Sequence, residues 1–281
     1  MSFMRIEVII MSNIKMIFRF VLGFITFVLV TILSIIIILK STLFNKNYII
    51  QKLDDNKYYE KLTKEITNDM SYSMLSSGVD RDIIADIITE NEVKNEVNNM
   101  LQSIYAGSKY EVNTGEISAR LKSKIEEYAQ KNGKKITDEN SFENLISNVV
   151  DIYKKQINLY GYFDGFANKV VNINELLSIV IVIVVLLIVI NLLIIRYLFH
   201  GRFLGVTLFS SGMALCFLKV FVLEKIDVDN LEIITQSFSL MLKIIMKDIS
   251  NILLMSVFIL LLFGVVITIF SSFKKIKRIK K

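Results

Sequence analysis

The sequence predicts an all-α integral membrane protein with four transmembrane helices and a helical-bundle extracytoplasmic domain between the first two. The chain has 281 residues, of which 53% are apolar, and it contains four long apolar runs. The clearest run, 176–195, has only two polar residues, Ser178 and Asn191, and about twenty apolar residues cross a bilayer as one helix. The chain has no proline and only 11 glycines, which favours long helices. A β-barrel would need many alternating segments of about ten residues.

The other three apolar runs are at least as long as the run 176–195. The run 20–39 follows three basic residues, exceeds the core of a cleavable signal peptide and is not followed by a small-residue cleavage site, so we expect an uncleaved anchor. The third run is 203–223, and the fourth, 249–273, ends at the basic sequence KKIKRIKK. These four runs are the predicted transmembrane helices.

The distribution of charge predicts the orientation of the chain. The tail 1–19, the turn 196–202 and the tail 274–281 together contain 11 basic residues and a single acidic one. The segment 41–175 contains 21 acidic and 17 basic residues, and the loop 224–248 contains five acidic and three basic residues. Because positively charged loops stay in the cytoplasm, we expect a multi-pass protein of the plasma membrane with both termini cytoplasmic. The two acidic segments should then lie outside.

The predicted extracytoplasmic domain, 40–175, carries the pattern of several core-facing helices, with apolar residues at every third or fourth position. Thr89 and Glu92 match a capping box. Because no glycine or proline interrupts the chain from 24 to 77, the first span should continue into the domain with at most a bend near 45–47. The predicted helix starts are Asp80, Thr89, Asn113 and either Thr137 or Asp138, and the predicted stops are Gly78, Gly107 and Gly133.

The outer loop 224–248 is predicted to form an amphipathic helix against the membrane. Its acidic residues Asp227, Asp229 and Glu232 fail the spacing of a calcium-binding EF-hand loop. They are better placed to cap and start a helix, because negative charge stabilises a helix N-terminus. The apolar face of this helix would consist of Leu231, Ile234, Phe238, Met241, Leu242 and Ile245.

The residues that could carry catalysis or bind a cofactor are sparse. The chain has one histidine, His200, and one cysteine, Cys216, whereas a metal centre needs several ligands. Ser211 and Lys219 are about 12 Å apart along one helix, too far for a nucleophile and its base. We therefore expect no enzyme, no cofactor and no metal. The basic residues flank apolar runs instead of forming a basic face with aromatics, so we also expect no nucleic-acid partner.

Three sets of residues are candidates for contacts with lipid or protein. Aromatic rings dominate many interfaces, so the segment YGYFDGF is a candidate partner or lipid contact, with packing at a juxtamembrane joint as its alternative. Polar residues in the spans are candidates for intramembrane contacts, and the basic tail for anionic lipid beside its role as a stop signal. The residues are Tyr160, Tyr162, Phe163 and Phe166 for the first set, Asn191, Ser210, Ser211 and Lys219 for the second, and Lys274, Lys275, Lys277, Arg278, Lys280 and Lys281 for the third.

The leading functional hypothesis is a non-enzymatic plasma-membrane protein whose extracytoplasmic domain binds or senses a ligand or partner. Its partners would be the lipid bilayer and a protein in the membrane or at the outer surface. The alternative is the membrane subunit of a transporter or export system, which usually has polar or broken helices near the middle of the membrane. Heavy use of Ile, Lys and Asn is typical of AT-rich bacterial genomes.

Overall fold

The computed structural model describes residues 2–75, 79–84, 86–134, 136, 138–158, 160–198, 202–221, 223–225 and 236–279. Every element of regular secondary structure in these residues is a helix, which confirms the predicted all-α class. The α-helices are α1 (Ser2–Ser41), α2 (Lys46–Asp55), α3 (Tyr58–Leu75), α4 (Glu90–Ala106), α5 (Gly115–Lys131), α6 (Glu139–Ile157), α7 (Tyr160–Leu198), α8 (Arg202–Phe221) and α9 (Gln236–Ile279).

Four of these helices are long and apolar enough to cross a membrane, so the protein is a membrane protein. The four segments are Ile14–Ser41 in α1, Gly165–Ile195 in α7, Phe203–Phe221 in α8 and Phe238–Ser272 in α9. Each overlaps one of the four apolar runs. Many of their large apolar side chains are exposed, as expected where a helix faces lipid tails.

The chain divides into two compact units. The first, which we call the span unit, consists of Met1–Thr42, Asn174–Asp227 and Met246–Lys281. The second, the interspan unit, consists of Leu43–Ile173 and Val228–Ile245. The interspan unit therefore contains α2 to α6 and the beginnings of α7 and α9, whereas the span unit contains the remaining length of the four candidate spans.

The interspan unit has an apolar core built from stripes on its helices. Successive core residues are three or four positions apart, so each stripe faces one side of its helix. Their side chains are almost completely removed from solvent. The residues at the centre of this core are Tyr58, Leu62, Ile66 and Met70 on α3, Val93, Val97, Met100 and Ile104 on α4, and Val149, Tyr153 and Ile157 on α6.

The helix ends of this unit follow several of the predicted signals. Thr89 caps α4 in the predicted capping box. The Thr89 hydroxyl accepts a hydrogen bond from the Glu92 backbone N–H at 3.3 Å, and the Glu92 carboxylate accepts one from the Thr89 backbone N–H at 2.9 Å. Gly107 ends α4 in the left-handed conformation with φ 65°, which glycine adopts without steric penalty. The Asp138 carboxylate caps α6 by accepting from the backbone of Asn140 and Ser141. These three predictions are confirmed.

Two predictions about the chain before α4 are wrong. The first span does not run into the interspan unit as one helix, because α1 ends at Ser41 and α2 begins after Asn45, whose side chain accepts a hydrogen bond from the Tyr48 backbone. A side-chain cap of this kind competes with helix continuation. The helix predicted after Asp80 is a single 3-10 turn, Arg81–Ile83.

Two further boundaries differ from the sequence prediction. Helix α5 begins at Gly115 after Thr114, while the Asn113 side chain accepts from the Gly115 backbone instead of serving as the first cap. The predicted outer helix and the fourth span are parts of one helix, α9, with no break between them. The acidic residues at 227, 229 and 232 and the apolar residues at 231 and 234 lie outside the described part of the chain, as do residues 76–78 with the predicted stop at Gly78.

Candidate functional site

Five aromatic side chains of the interspan unit form a cluster at or next to the ends of three of the candidate spans. Phe44 follows the end of α1, whereas Phe163 and Phe166 lie in the first two turns of α7. Phe238 lies in the first turn of α9, and Tyr105 is in the last turn of α4. We call these five residues the aromatic cluster. It gathers, within one unit, the chain segments adjoining the first, second and fourth spans.

The rings of the aromatic cluster form a connected chain of contacts. The Phe166 ring centroid lies 5.6 Å from that of Phe44 and 6.0 Å from that of Tyr105. The Phe163 ring lies 6.5 Å from Phe166 and 5.5 Å from Phe238. Three of these four pairs are edge-to-face and the fourth is tilted, and aromatic quadrupoles favour such arrangements over face-to-face stacking. Phe166 therefore contacts three of the other four rings, and Phe163 connects Phe238 to them.

Tyr105 adds a directional bond to the aromatic cluster. Its hydroxyl donates a hydrogen bond of 2.5 Å to the backbone carbonyl of Leu43. Burial raises the pKa of Tyr105 to about 12, so the hydroxyl keeps its proton and remains a donor at neutral pH. This bond fixes the end of α4 to the chain that leaves α1.

The structure places the predicted aromatic segment inside this cluster only in part. Phe163 and Phe166 are half-buried and pack against other residues of the same unit. Tyr160 and Tyr162 belong to α7, but their side chains lie outside the described residues. Sequence reasoning did not identify Phe44, Tyr105 and Phe238 as neighbours of this segment, because each is distant from it along the chain.

Asn191 makes polar contacts with α1 inside the span unit. Its side-chain amide donates to the carbonyl oxygen of Leu22 at 3.0 Å and to the hydroxyl oxygen of Thr26 at 2.8 Å. Asn191 is only 5% exposed, and its side-chain oxygen is buried without a hydrogen-bond partner among the described residues. An amide in a span thus joins α7 to α1 through its two donors while its acceptor is left unsatisfied.

Ser211 makes a second polar contact with α1, from α8. Its hydroxyl lies 3.0 Å from the carbonyl oxygen of Thr207 on its own helix and 3.2 Å from that of Phe27 on α1. Ser211 is completely buried. Because Thr26 and Phe27 are consecutive, the contacts from α7 and α8 meet the same turn of α1. Interhelical bonds of this type hold membrane helices in register.

The remaining predicted intramembrane and lipid-binding residues are less informative. Ser210 and Lys219 are half-buried on α8, and the structure does not bring either into the contacts of Asn191. The six basic residues of the C-terminal tail have side chains outside the described part of the chain. A contact that the sequence did not indicate occurs near the other end of the spans, where the Lys40 ammonium donates to the Ser178 hydroxyl.

The side chains of the described residues can pack against a partner or bind one. Among them, no three His, Cys, Asp or Glu side chains are grouped as a metal ion would require, and the thiol of Cys216 is free and half-buried. Comparisons with protein-family models, curated proteins and solved structures gave no match. The functional interpretation therefore depends on the geometry of the two units.

Proposed function

We propose that this protein is a non-enzymatic, multi-pass plasma-membrane protein whose interspan unit lies outside the cytoplasm and binds or senses a ligand or protein partner. The aromatic cluster carries this proposal. It contains residues from the segments adjoining three spans, so a change in its packing would act on three membrane helices together. Packed cores change between discrete arrangements more readily than they deform gradually.

Two further observations support a binding domain held by membrane anchors. The interspan unit has its own buried core, so it can hold a stable surface for recognition. The spans have few polar groups. Two of them, the side chains of Asn191 and Ser211, donate hydrogen bonds to backbone or hydroxyl oxygens of α1. These hydrogen bonds join the spans to one another. This is the arrangement expected of a membrane anchor that transmits a conformational change from the interspan unit.

Complementation of cells that lack the gene tests the proposal. The full chain should restore the wild-type phenotype. A chain in which residues 45–172 are replaced by a flexible linker should reach the membrane without restoring it. Phe166→Ala should reduce complementation while leaving the amount of protein in the membrane unchanged. Phe258→Ala is the matched control, since this ring in the span unit is 64% exposed. Full activity of the linker variant would contradict the proposal.

Cysteine labelling tests the proposed orientation separately. In a Cys216→Ser background, a membrane-impermeant thiol reagent added to intact cells should label Lys109→Cys and leave Lys277→Cys unlabelled. Permeabilised cells should label both. Labelling of position 277 but not of position 109 from outside would show that the topology is the opposite of the proposed one. The interspan unit would then bind its ligand or partner on the cytoplasmic side.

The second candidate function is the membrane subunit of a transporter or export system. The observation that favours it is the buried, unsatisfied side-chain oxygen of Asn191, because polar groups in spans often mark a transport path. Substrate flux into reconstituted vesicles should then fall in Asn191→Leu or Lys219→Ala. Flux that is indifferent to both substitutions would argue against a path through these spans.

A further inference from the structure

A groove of about 580 Å³ lies in the interspan unit between α3 and the first turns of α9. Its lining includes polar groups and charges of both signs. The α3 wall presents lysine, carboxylate, amide and phenol groups, whereas the α9 wall presents a serine, a leucine and a lysine. The lining residues include Lys61, Lys64, Asp69, Tyr72, Ser239 and Lys243.

Two charges of opposite sign in this groove form no salt bridge among the described residues. Lys64 pairs with Glu60 at 2.7 Å on the exposed face of α3. Lys61, one turn earlier, has no salt-bridge partner among the described residues, although its charge helps to lower the pKa of the nearby Glu60 carboxyl. The carboxylate of Asp69 accepts a hydrogen bond from the neutral amide of Gln156, and no cation neutralises it in that part of the chain. The groove therefore offers an ammonium and a carboxylate to one ligand.

The α9 wall of the groove is close to the membrane along its own helix. Ser239 and Lys243 lie in the first two turns of the candidate span Phe238–Ser272, whose 35 residues rise by about 52 Å as an α-helix. The headgroup layer of a bilayer is roughly 5 to 7 Å thick on each side of the hydrocarbon core. Because this helix is longer than a whole bilayer of about 40 to 45 Å, we place its first turns, which carry Ser239 and Lys243, in the headgroup layer.

We propose that this groove binds the headgroup of an aminophospholipid, that is, a lipid that carries a phosphate and a primary ammonium group. The phosphate would bind Lys61, with the hydroxyl groups of Tyr72 and Ser239 as further donors, since charge-assisted hydrogen bonds to phosphate are strong. The ammonium group would donate to the carboxylate of Asp69. The proposal is independent of the proposed function, because a lipid site could serve any multi-pass membrane protein.

The charges of the groove select among lipid classes. A purely anionic headgroup satisfies Lys61 but leaves Asp69 without a cation. A headgroup with a quaternary ammonium has no N–H with which to donate to the carboxylate of Asp69. Only a headgroup with both a phosphate and an N–H-bearing ammonium satisfies both side chains.

Native mass spectrometry of the full chain in detergent tests this site with three lipids of matched acyl chains. Phosphatidylethanolamine should bind more tightly than phosphatidylglycerol and phosphatidylcholine. Lys61→Gln and Asp69→Asn should each weaken its binding about tenfold, as expected for loss of one charge-assisted hydrogen bond. Lys109→Gln, which removes the same charge from the loop between α4 and α5, is the matched control and should leave binding unchanged.

Each alternative result has a definite meaning. Equal or tighter binding of phosphatidylglycerol would overturn the proposal in favour of a general site for anionic lipid. Unchanged binding of phosphatidylethanolamine in both Lys61→Gln and Asp69→Asn would show that it binds elsewhere. Equally tight binding of soluble glycerophosphoethanolamine would show that the site takes a free headgroup compound and not a membrane lipid. Circular dichroism of each variant checks that the helices are intact.

Discussion

The Tyr105 hydroxyl at the end of α4 bonds to the backbone carbonyl of Leu43, two residues beyond the end of α1, at 2.5 Å. The same tyrosine ring lies edge-to-face with Phe166 of α7. One side chain therefore connects the chain leaving the first span with the helix that contains the second. A tyrosine at this position contributes both an apolar ring and a polar end.

Tyr105→Phe separates these two contributions. The phenylalanine keeps the ring contact with Phe166 but removes the hydrogen bond to Leu43. We expect a loss of about 1 kcal/mol in the free energy of unfolding, the usual size for one such bond, measured by denaturant titration in detergent micelles. Tyr72→Phe is the control, because Tyr72 is 62% exposed and its hydroxyl can bond to water. Equal losses in the two variants would argue against a specific role for the Tyr105 bond.

The crossing of α8 and α9 depends on two glycines. A Cβ atom built on Gly205 would lie 2.7 Å from the carbonyl oxygen of Gly264 and 2.7 Å from the backbone nitrogen of Thr268. Backbone atoms cannot move aside as a flexible side chain can. Gly205→Ala should therefore force the two helices apart and destabilise the span unit by about 1 to 3 kcal/mol, measured by unfolding in mixed micelles.

Gly165→Ala is the matched control for this crossing. Gly165 is also inside a helix, α7, but no heavy atom lies within 4 Å of the Cβ that the substitution would add. Since alanine favours a helix over glycine by up to about 1 kcal/mol, this control should be neutral or stabilising. Destabilisation by Gly165→Ala as large as that by Gly205→Ala would mean that close helix approach is not the cause.

Local signals predicted much of this fold. The four candidate spans follow from composition over about twenty residues, and the cap at Thr89 depends only on residues three positions apart. The break after α1 was missed because the apolar and polar patterns on both sides were compatible with one helix. The helix ends at Ser41, and the side-chain cap of Asn45 then starts a separate helix, α2.

Contacts between distant residues were beyond the reach of sequence reasoning. The residue Asn191 could be identified as a polar group in a span, but its partners on α1 depend on how the helices pack. In the same way, nothing local to Phe166 indicates that Phe44 and Tyr105 lie beside it. The opposed charges of Lys61 and Asp69 become a candidate site only when α9 forms the second wall of the groove.

Ser211 should stabilise the packing of α8 on α1. Ser211→Ala removes the contact with the carbonyl oxygen of Phe27, and we expect a loss of about 0.6 kcal/mol, with an upper value of about 1.7 kcal/mol, as for interhelical hydrogen bonds in other membrane proteins. Ser256→Ala is a matched control, because the Ser256 hydroxyl donates to the carbonyl oxygen of Ile252 on its own helix. Unfolding in mixed micelles compares the two variants, and a loss of equal size in both would exclude a specific interhelical contribution.

Two helix starts in the interspan unit offer a matched test of capping. Thr89 accepts a hydrogen bond from the backbone of Glu92, whereas Thr114 precedes α5 without a side-chain cap. Thr89→Ala should reduce the free energy of unfolding by about 1 kcal/mol, and Thr114→Ala should have little effect. Denaturant titration measures both, and the reverse order would contradict the assignment of the capping box.

Glu92 should make the stability of the interspan unit depend on pH. Burial tends to raise the pKa of Glu92, but hydrogen bonds from the Thr89 backbone and from Arg120 together hold that pKa below its ordinary value. Arg120 lies 2.7 Å from the carboxylate. Because the pKa is lower in the folded state, the contribution to stability is present above the ordinary pKa of 4.5 and is lost as the pH falls through the folded value.

Denaturant titrations of the full chain between neutral and acidic pH measure this contribution. Glu92→Gln should flatten the loss of stability below pH 4.5, since the substituted side chain does not titrate. Arg120→Gln should flatten it only in part, because the hydrogen bonds from Thr89 remain. An acid-induced loss in Glu92→Gln identical to that of the unsubstituted protein would show that other carboxylates carry the whole dependence.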